Sequence, residues 1–170
     1  MIIVSVISLL FSLLIQGLMS NFFEYTIDNL SIFSAVYVLI NLVVLMPYFE
    51  DNKKILIILI IFGLLMDMVY SNTCIFCTCI FLVIFYFNKM LNFFFPSNLL
   101  TINIFSILSM IVYHVLTFIF LVILKFDSYG IFVLLKVIGC NIIMTIIYTT
   151  ILYFLISFVY KKFDLKIVRE

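Results

Sequence analysis

Asp67 is the residue of this chain with the clearest capacity for chemistry. It stands in the apolar run Phe62-Gly63-Leu64-Leu65-Met66-Asp67-Met68. An ionisable group at membrane depth is costly and faces a bundle interior or a cavity. Two roles are open for it: a coupling or ligand site, or a polar anchor that orders neighbouring helices. Lys136 lies early in the last apolar run, at a depth where it could pair with Asp67. The alternative is an ammonium that snorkels to the membrane interface. His114, in Val112-Tyr113-His114-Val115, is the one histidine of the chain, so no second imidazole can share a metal with it. Its expected role is a hydrogen bond to a neighbouring helix. Gln16, Asn41, Asn103 and Asn141 read the same way, as polar links between helices. Cys74, Cys77 and Cys79 form C-x-x-C-x-C. A zinc site would need a second, separated pair of ligands, which is missing. These cysteines read as small apolar packing residues.

The motifs of common catalysts are missing too. The chain holds no G-x-x-x-x-G-K-[ST], no H-E-x-x-H and no G-x-S-x-G, the signatures of phosphate loops, zinc proteases and nucleophile elbows. No cluster of catalytic polar residues can be assembled on facing runs, so neither an enzyme nor a cofactor is expected. Gly17, Gly63, Gly130 and Gly139 never fall in G-x-x-x-G spacing.

Composition identifies the elements that must position these residues. Hydrophobic residues make up 68% of the 170 positions and charged residues 10%, with a mean hydropathy of +1.44. A soluble domain is about half apolar and about a quarter charged, so lipid is the expected solvent. The net charge of +1 gives no bulk attraction for nucleic acid. A crossing needs about 20 mainly apolar residues. Charges, prolines and polar clusters then divide the chain into six candidate spans, at about 1–19, 31–49, 55–71, 73–91, 98–124 and 131–160. The first span lacks a basic leader and a small-residue cleavage site, and reads as retained. The expected loops are Ser20 to Leu30, Glu50 to Lys54, Ser71 to Thr73, a fourth holding Asn92 and Pro96, and Lys125 to Gly130. Tyr25, Tyr48, Tyr70, Tyr86, Tyr129 and Tyr160 fall near predicted interfaces, as aromatic belts do. With the N-terminus in the cytoplasm, the inner side receives Lys53, Lys54, Lys89, Lys161, Lys162, Lys166 and Arg169, against Lys125 and Lys136 outside. That bias follows the positive-inside rule. The expected fold is an all-α integral membrane protein, residues 1–170 forming a single transmembrane domain, with six helices in one bundle and both termini cytoplasmic.

The stretch Phe62-Gly63-Leu64-Leu65-Met66-Asp67-Met68-Val69-Tyr70-Ser71, running on through Ile80-Phe81-Leu82-Val83-Ile84-Phe85-Tyr86, resembles the MreD family of bacterial rod shape-determining membrane proteins. Gln16 in the first span and Asp28-Asn29-Leu30 before the second fit the same pattern. Thr73-Cys74 stands where the family often has a glycine, and Ile27 where it usually has a proline. The resemblance implies a non-enzymatic scaffold in the bacterial cytoplasmic membrane, acting in cell shape and lateral peptidoglycan synthesis. Its implied partners are an MreC-like single-span protein, a RodA-type glycosyltransferase and a penicillin-binding transpeptidase, and indirectly MreB filaments. Asp67 and Gly63, with Lys136, Gln16 and His114, are then candidates for holding the bundle in a binding-competent shape. The competing expectation is the substrate-binding subunit of an energy-coupling-factor vitamin transporter, also a six-helix protein, with Asp67, Asn72, Lys136 and Asn141 as its polar residues.

Overall fold

The computed structural model describes residues 2–22, 36–49, 52–71, 75–96, 98–123 and 130–162. These residues are almost entirely helical, and no β-strand occurs among them. Helix α1 runs Ile2–Phe22, and α2 runs Tyr37–Leu45, closed by a 3₁₀ turn at Met46–Tyr48. Helix α3 runs Asn52–Met66 and is prolonged by a π-helical turn, Asp67–Ser71. Then come α4 (Phe76–Phe94), α5 (Leu99–Ile123) and α6 (Ile131–Lys162). Among the described residues, four helices are long and apolar enough to cross a membrane: Ile2–Met19, Phe76–Phe94, Leu99–Ile123 and Ile131–Lys162.

Helix α2 is at the centre of the packing. Its sequence, Tyr-Val-Leu-Ile-Asn-Leu-Val-Val-Leu, is apolar on every side but for Asn41, and every residue from Tyr37 to Leu45 is buried. A helix with no polar face belongs inside a core. Helices α1, α5 and α6 pack around it, while α3 packs on α4 and α5 on both α4 and α6. Pro47 lies in the closing turn, where its missing N–H removes no bond of the helix before it. With that turn α2 is about 20 Å long, shorter than the crossing expected over 31–49. Residues 31–35 and most of the first expected loop lie outside the described residues.

A small polar cluster ties α2 to its neighbours. Asn41 Nδ2 donates to Ser8 Oγ at 2.8 Å and to Ser12 Oγ, while Ser8 Oγ donates to Asn41 Oδ1 at 3.1 Å. Tyr148 Oη on α6 donates to Ser12 Oγ at 2.8 Å. Ser8 and Ser12 are one helical turn apart, so one face of α1 presents both oxygens to α2. Asn103 links α5 to Thr150 of α6 at 3.4 Å, and Asn88 of α4 donates to Ser109 of α5 at 2.7 Å.

Several expected boundaries move. Helix α3 begins at Asn52, so Lys53 and Lys54 belong to its first turn and not to a loop. Helix α4 continues to Phe94, which puts Asn92 inside the helix, and only Pro96 falls in the link to α5. In both places a polar side chain near a helix end does not stop the helix, whose ends are set only to within one or two residues by sequence pattern. Tyr48 and Tyr160 are not belt residues: both are buried, and their rings meet at 4.4 Å, tilted by 43°, between the turn after α2 and α6. Tyr25 and Tyr129 lie outside the described residues.

Replacing Asn41 by Leu should leave Ser8 and Ser12 without their shared partner. The expected loss is about 1–2 kcal/mol, read as a lower unfolding midpoint of the purified protein in detergent. An unchanged midpoint would mean that apolar packing alone seats α2.

Candidate functional site

Asp67 opens the π-helical turn that ends α3, and it is fully buried. The reason lies in the helix that follows. The residue before α4 is Ile75, which has no side-chain oxygen and makes no cap to the helix. The first amides of a helix have no partner within it, and buried amides left unpaired are costly. Asp67 fills that gap from the preceding helix. Its Oδ1 accepts the Cys77 N–H at 2.8 Å, and its Oδ2 accepts the Thr78 N–H at 3.1 Å and the Thr78 hydroxyl at 3.0 Å. A carboxylate here also meets the positive end of the helix dipole.

Gly63 makes the approach possible. It precedes Asp67 by one turn on α3, and a Cβ built on it would lie 2.9 Å from both Cα and Oγ1 of Thr78. That is far inside contact with backbone, so only a glycine lets the start of α4 come this close. Gly63, Asp67 and Thr78 thus act as one helix-to-helix lock. The π turn is held at its other end as well. Tyr70 Oη donates to the Leu13 carbonyl of α1 at 2.8 Å, and Gly17 leaves room for that ring, since a Cβ there would lie 2.7 Å from Tyr70 Oη.

Gln16 repeats the device on α2. The residue before that helix is Val36, again without a capping side chain. Gln16 Oε1 on α1 accepts the Val38 N–H at 3.5 Å, a long contact. His114 is buried on α5, its Nε2 3.4 Å from Asn141 Nδ2 on α6, which is the bond to a neighbouring helix that its surroundings called for. Lys136 is exposed on α6 and makes no ion pair with the buried Asp67. The matched depth of the two residues is therefore not a pairing, because both carboxylate oxygens are turned to α4.

Cys77 contributes its amide to the lock, and its sulfur lies 3.8 Å from Tyr113 Oη. Cys79 is exposed and Cys140 half-buried, while Cys74 and Asn72 lie outside the described residues. Among the described residues no three His, Cys, Asp or Glu side chains converge as metal ligands would. A groove of about 600 Å³ opens between α4 and α5, lined by residues such as Phe76, Ile80, Leu116 and Phe120, with Cys79 at its wall. Its lining offers no set of hydrogen-bonding groups to orient a polar ligand.

Reading the residue types found Asp67 and Gln16, and the family resemblance pointed to Gly63, but their counterparts were not found. Thr78 went unnoticed and Tyr70 was read only as an interface residue, although each is a polar side chain one or two turns from a helix end. The serines of α1 were missed too, although their one-turn spacing was a signal. Compared with protein-family models, with curated proteins and with solved structures, the chain matches none of them.

Asp67→Ala should strip acceptors from two buried amides and a hydroxyl. Hydrogen bonds to a charged group are worth about 1.5–3 kcal/mol each, so a loss of about 3 kcal/mol or more is expected in thermal or denaturant unfolding. Asp67→Asn, which keeps one acceptor oxygen, should lose less. Gly63→Leu should destabilise by a similar amount, and its effect should not add to that of Asp67→Ala, because both open the same contact. An Asp67→Ala protein within about 0.5 kcal/mol of the parent would contradict the capping role.

Proposed function

We propose that this chain is a multi-pass protein of the bacterial cytoplasmic membrane, with six spans and both termini cytoplasmic. Its function is that of a non-enzymatic scaffold of the MreD type. It binds an MreC-like single-span protein through helix–helix packing and so supports a RodA-type glycosyltransferase and a penicillin-binding transpeptidase in lateral wall synthesis. MreB filaments are coupled to it indirectly.

The observation that carries this reading is the lock itself. In the stretch that resembles the family, glycine and aspartate are committed to fastening α3 to α4. A residue spent on a neighbouring helix shapes a surface and does not wait for a ligand. Exposed apolar side chains such as Leu14, Ile104, Ile147 and Phe154 then leave broad faces for lipid or for a partner helix. In a bilayer such partners are chosen by close packing and a few polar bonds, since lipid removes the hydrophobic drive between helices. The placement of the termini rests on charge: Lys161 and Lys162 close α6, and Lys53 and Lys54 open α3, as the inner side of a positive-inside protein requires.

The vitamin-transporter reading is second. It needs polar groups converging on a cavity, and the groove between α4 and α5 supplies apolar ones.

Two experiments test the proposal. A crosslinked pull-down of the tagged chain from its native membranes, identified by mass spectrometry, should recover an MreC-like protein with wall synthases. Recovery of cassette ATPases with a transmembrane coupling subunit would replace this reading with the transporter one. Reporter fusions after Lys162 should be active only as cytoplasmic fusions, and an exterior signal would overturn the orientation.

A further inference from the structure

Lysines gather at one end of the bundle. Lys53 and Lys54 begin α3, Lys89 lies in the penultimate turn of α4, and Lys161 and Lys162 end α6, all five exposed. The register of the helices puts them all at one end of the bundle. Gly63 abuts Thr78, and Ile55 and Asn88 line one small cavity, so the start of α3 lies level with Lys89 on the adjacent α4. Tyr160 packs against Tyr48, which puts Lys161 and Lys162 at the end where the chain passes from α2 to α3. The opposite end exposes one lysine among the described residues, Lys136. Glu50, Asp51, Asp164 and Glu170 belong to the same end in the sequence, but they are outnumbered by seven basic residues there.

An aromatic rim accompanies these charges. Phe93, Phe94 and Phe95, where α4 gives way to the link to α5, are 77%, 68% and 54% exposed. Lys89 and Phe93 are one turn apart on α4, so an ammonium and a ring share one face. An acidic protein partner would meet the lysines and leave three phenylalanines in water. A bilayer surface takes both, since lysine heads reach phosphates while rings settle at the boundary of headgroups and acyl chains.

We propose that this end of the bundle is a binding site for anionic phospholipid, with Lys53, Lys54 and Lys89 holding the headgroup and Phe93 to Phe95 seated beside its acyl chains. The site is separate from the Asp67 lock and independent of the scaffold reading. Its position makes the protein sensitive to the charge of the leaflet it meets.

The test is lipid retention by the purified full chain, measured by native mass spectrometry during titration with phosphatidylglycerol or phosphatidylcholine. The parent should retain phosphatidylglycerol preferentially. Each lysine near an anionic surface adds about 1 kcal/mol, so each Lys→Gln change among the three should weaken retention about fivefold. K53Q/K54Q/K89Q should abolish the preference, and K136Q should leave it intact. Circular dichroism identifies any variant that misfolds, and the single change K89Q then carries the test. Equal retention of the two lipids by the parent would overturn the proposal. So would a K136Q protein as impaired as the triple variant, because the effect would then be diffuse charge and not a site.

Discussion

A helix that begins among apolar side chains must find acceptors for its first amides, and in this protein they come from the preceding helix. Asp67 does this for α4 and Gln16 for α2. Neither receiving helix has a capping side chain of its own. A cap supplied within one chain segment stabilises only that helix. A cap supplied across segments makes the start of one helix depend on the position of another, so secondary and tertiary structure stand or fall together. For α4 the dependence is tightened by Gly63, which removes the one carbon that would hold the helices apart.

The rest of the bundle follows the same economy of polar groups. Asn41 is the one polar residue of the buried α2, and it is met by two serines of α1 and, through Ser12, by Tyr148 of α6. His114 and Asn141 join α5 to α6, and Asn88 and Ser109 join α4 to α5. Apolar packing supplies most of the contact but little direction, because leucine, isoleucine and phenylalanine pack against lipid as readily as against each other. The polar bonds define which helix meets which, and at what height.

Much of this could be read from residue types, and the limits have physical causes. Helical class and the long apolar runs follow from composition, as α1, α4, α5 and α6 illustrate. The importance of Asp67 was legible because a charge stands out in an apolar run, while Gly63 was singled out only by the resemblance. What the carboxylate binds was not legible, since a donor that is a backbone N–H leaves no mark on the sequence. Depth alone suggested Lys136 as its partner, but depth says nothing about which way a side chain faces. The shortness of α2 was also hidden: a run apolar on nearly all sides reads equally as a crossing or as a buried core helix. Tyr48 and Tyr160 were misplaced for a related reason, because a tyrosine near a helix end serves equally well in an aromatic belt or in a buried ring contact.

The capped helix starts tie α1 to α2 and α3 to α4, and so hold the bundle in one shape. The claim can be tested at the atoms involved. Amide hydrogen exchange of the lipid-reconstituted protein, resolved at Cys77 and Thr78, should show strong protection in the parent. Protection should be lost at those two positions in Asp67→Ala, while Ile84, two turns into α4, stays protected. Equal protection of Cys77 and Thr78 in both proteins would mean that α4 begins without the help of α3, and the lock would not be the contact on which the fold depends.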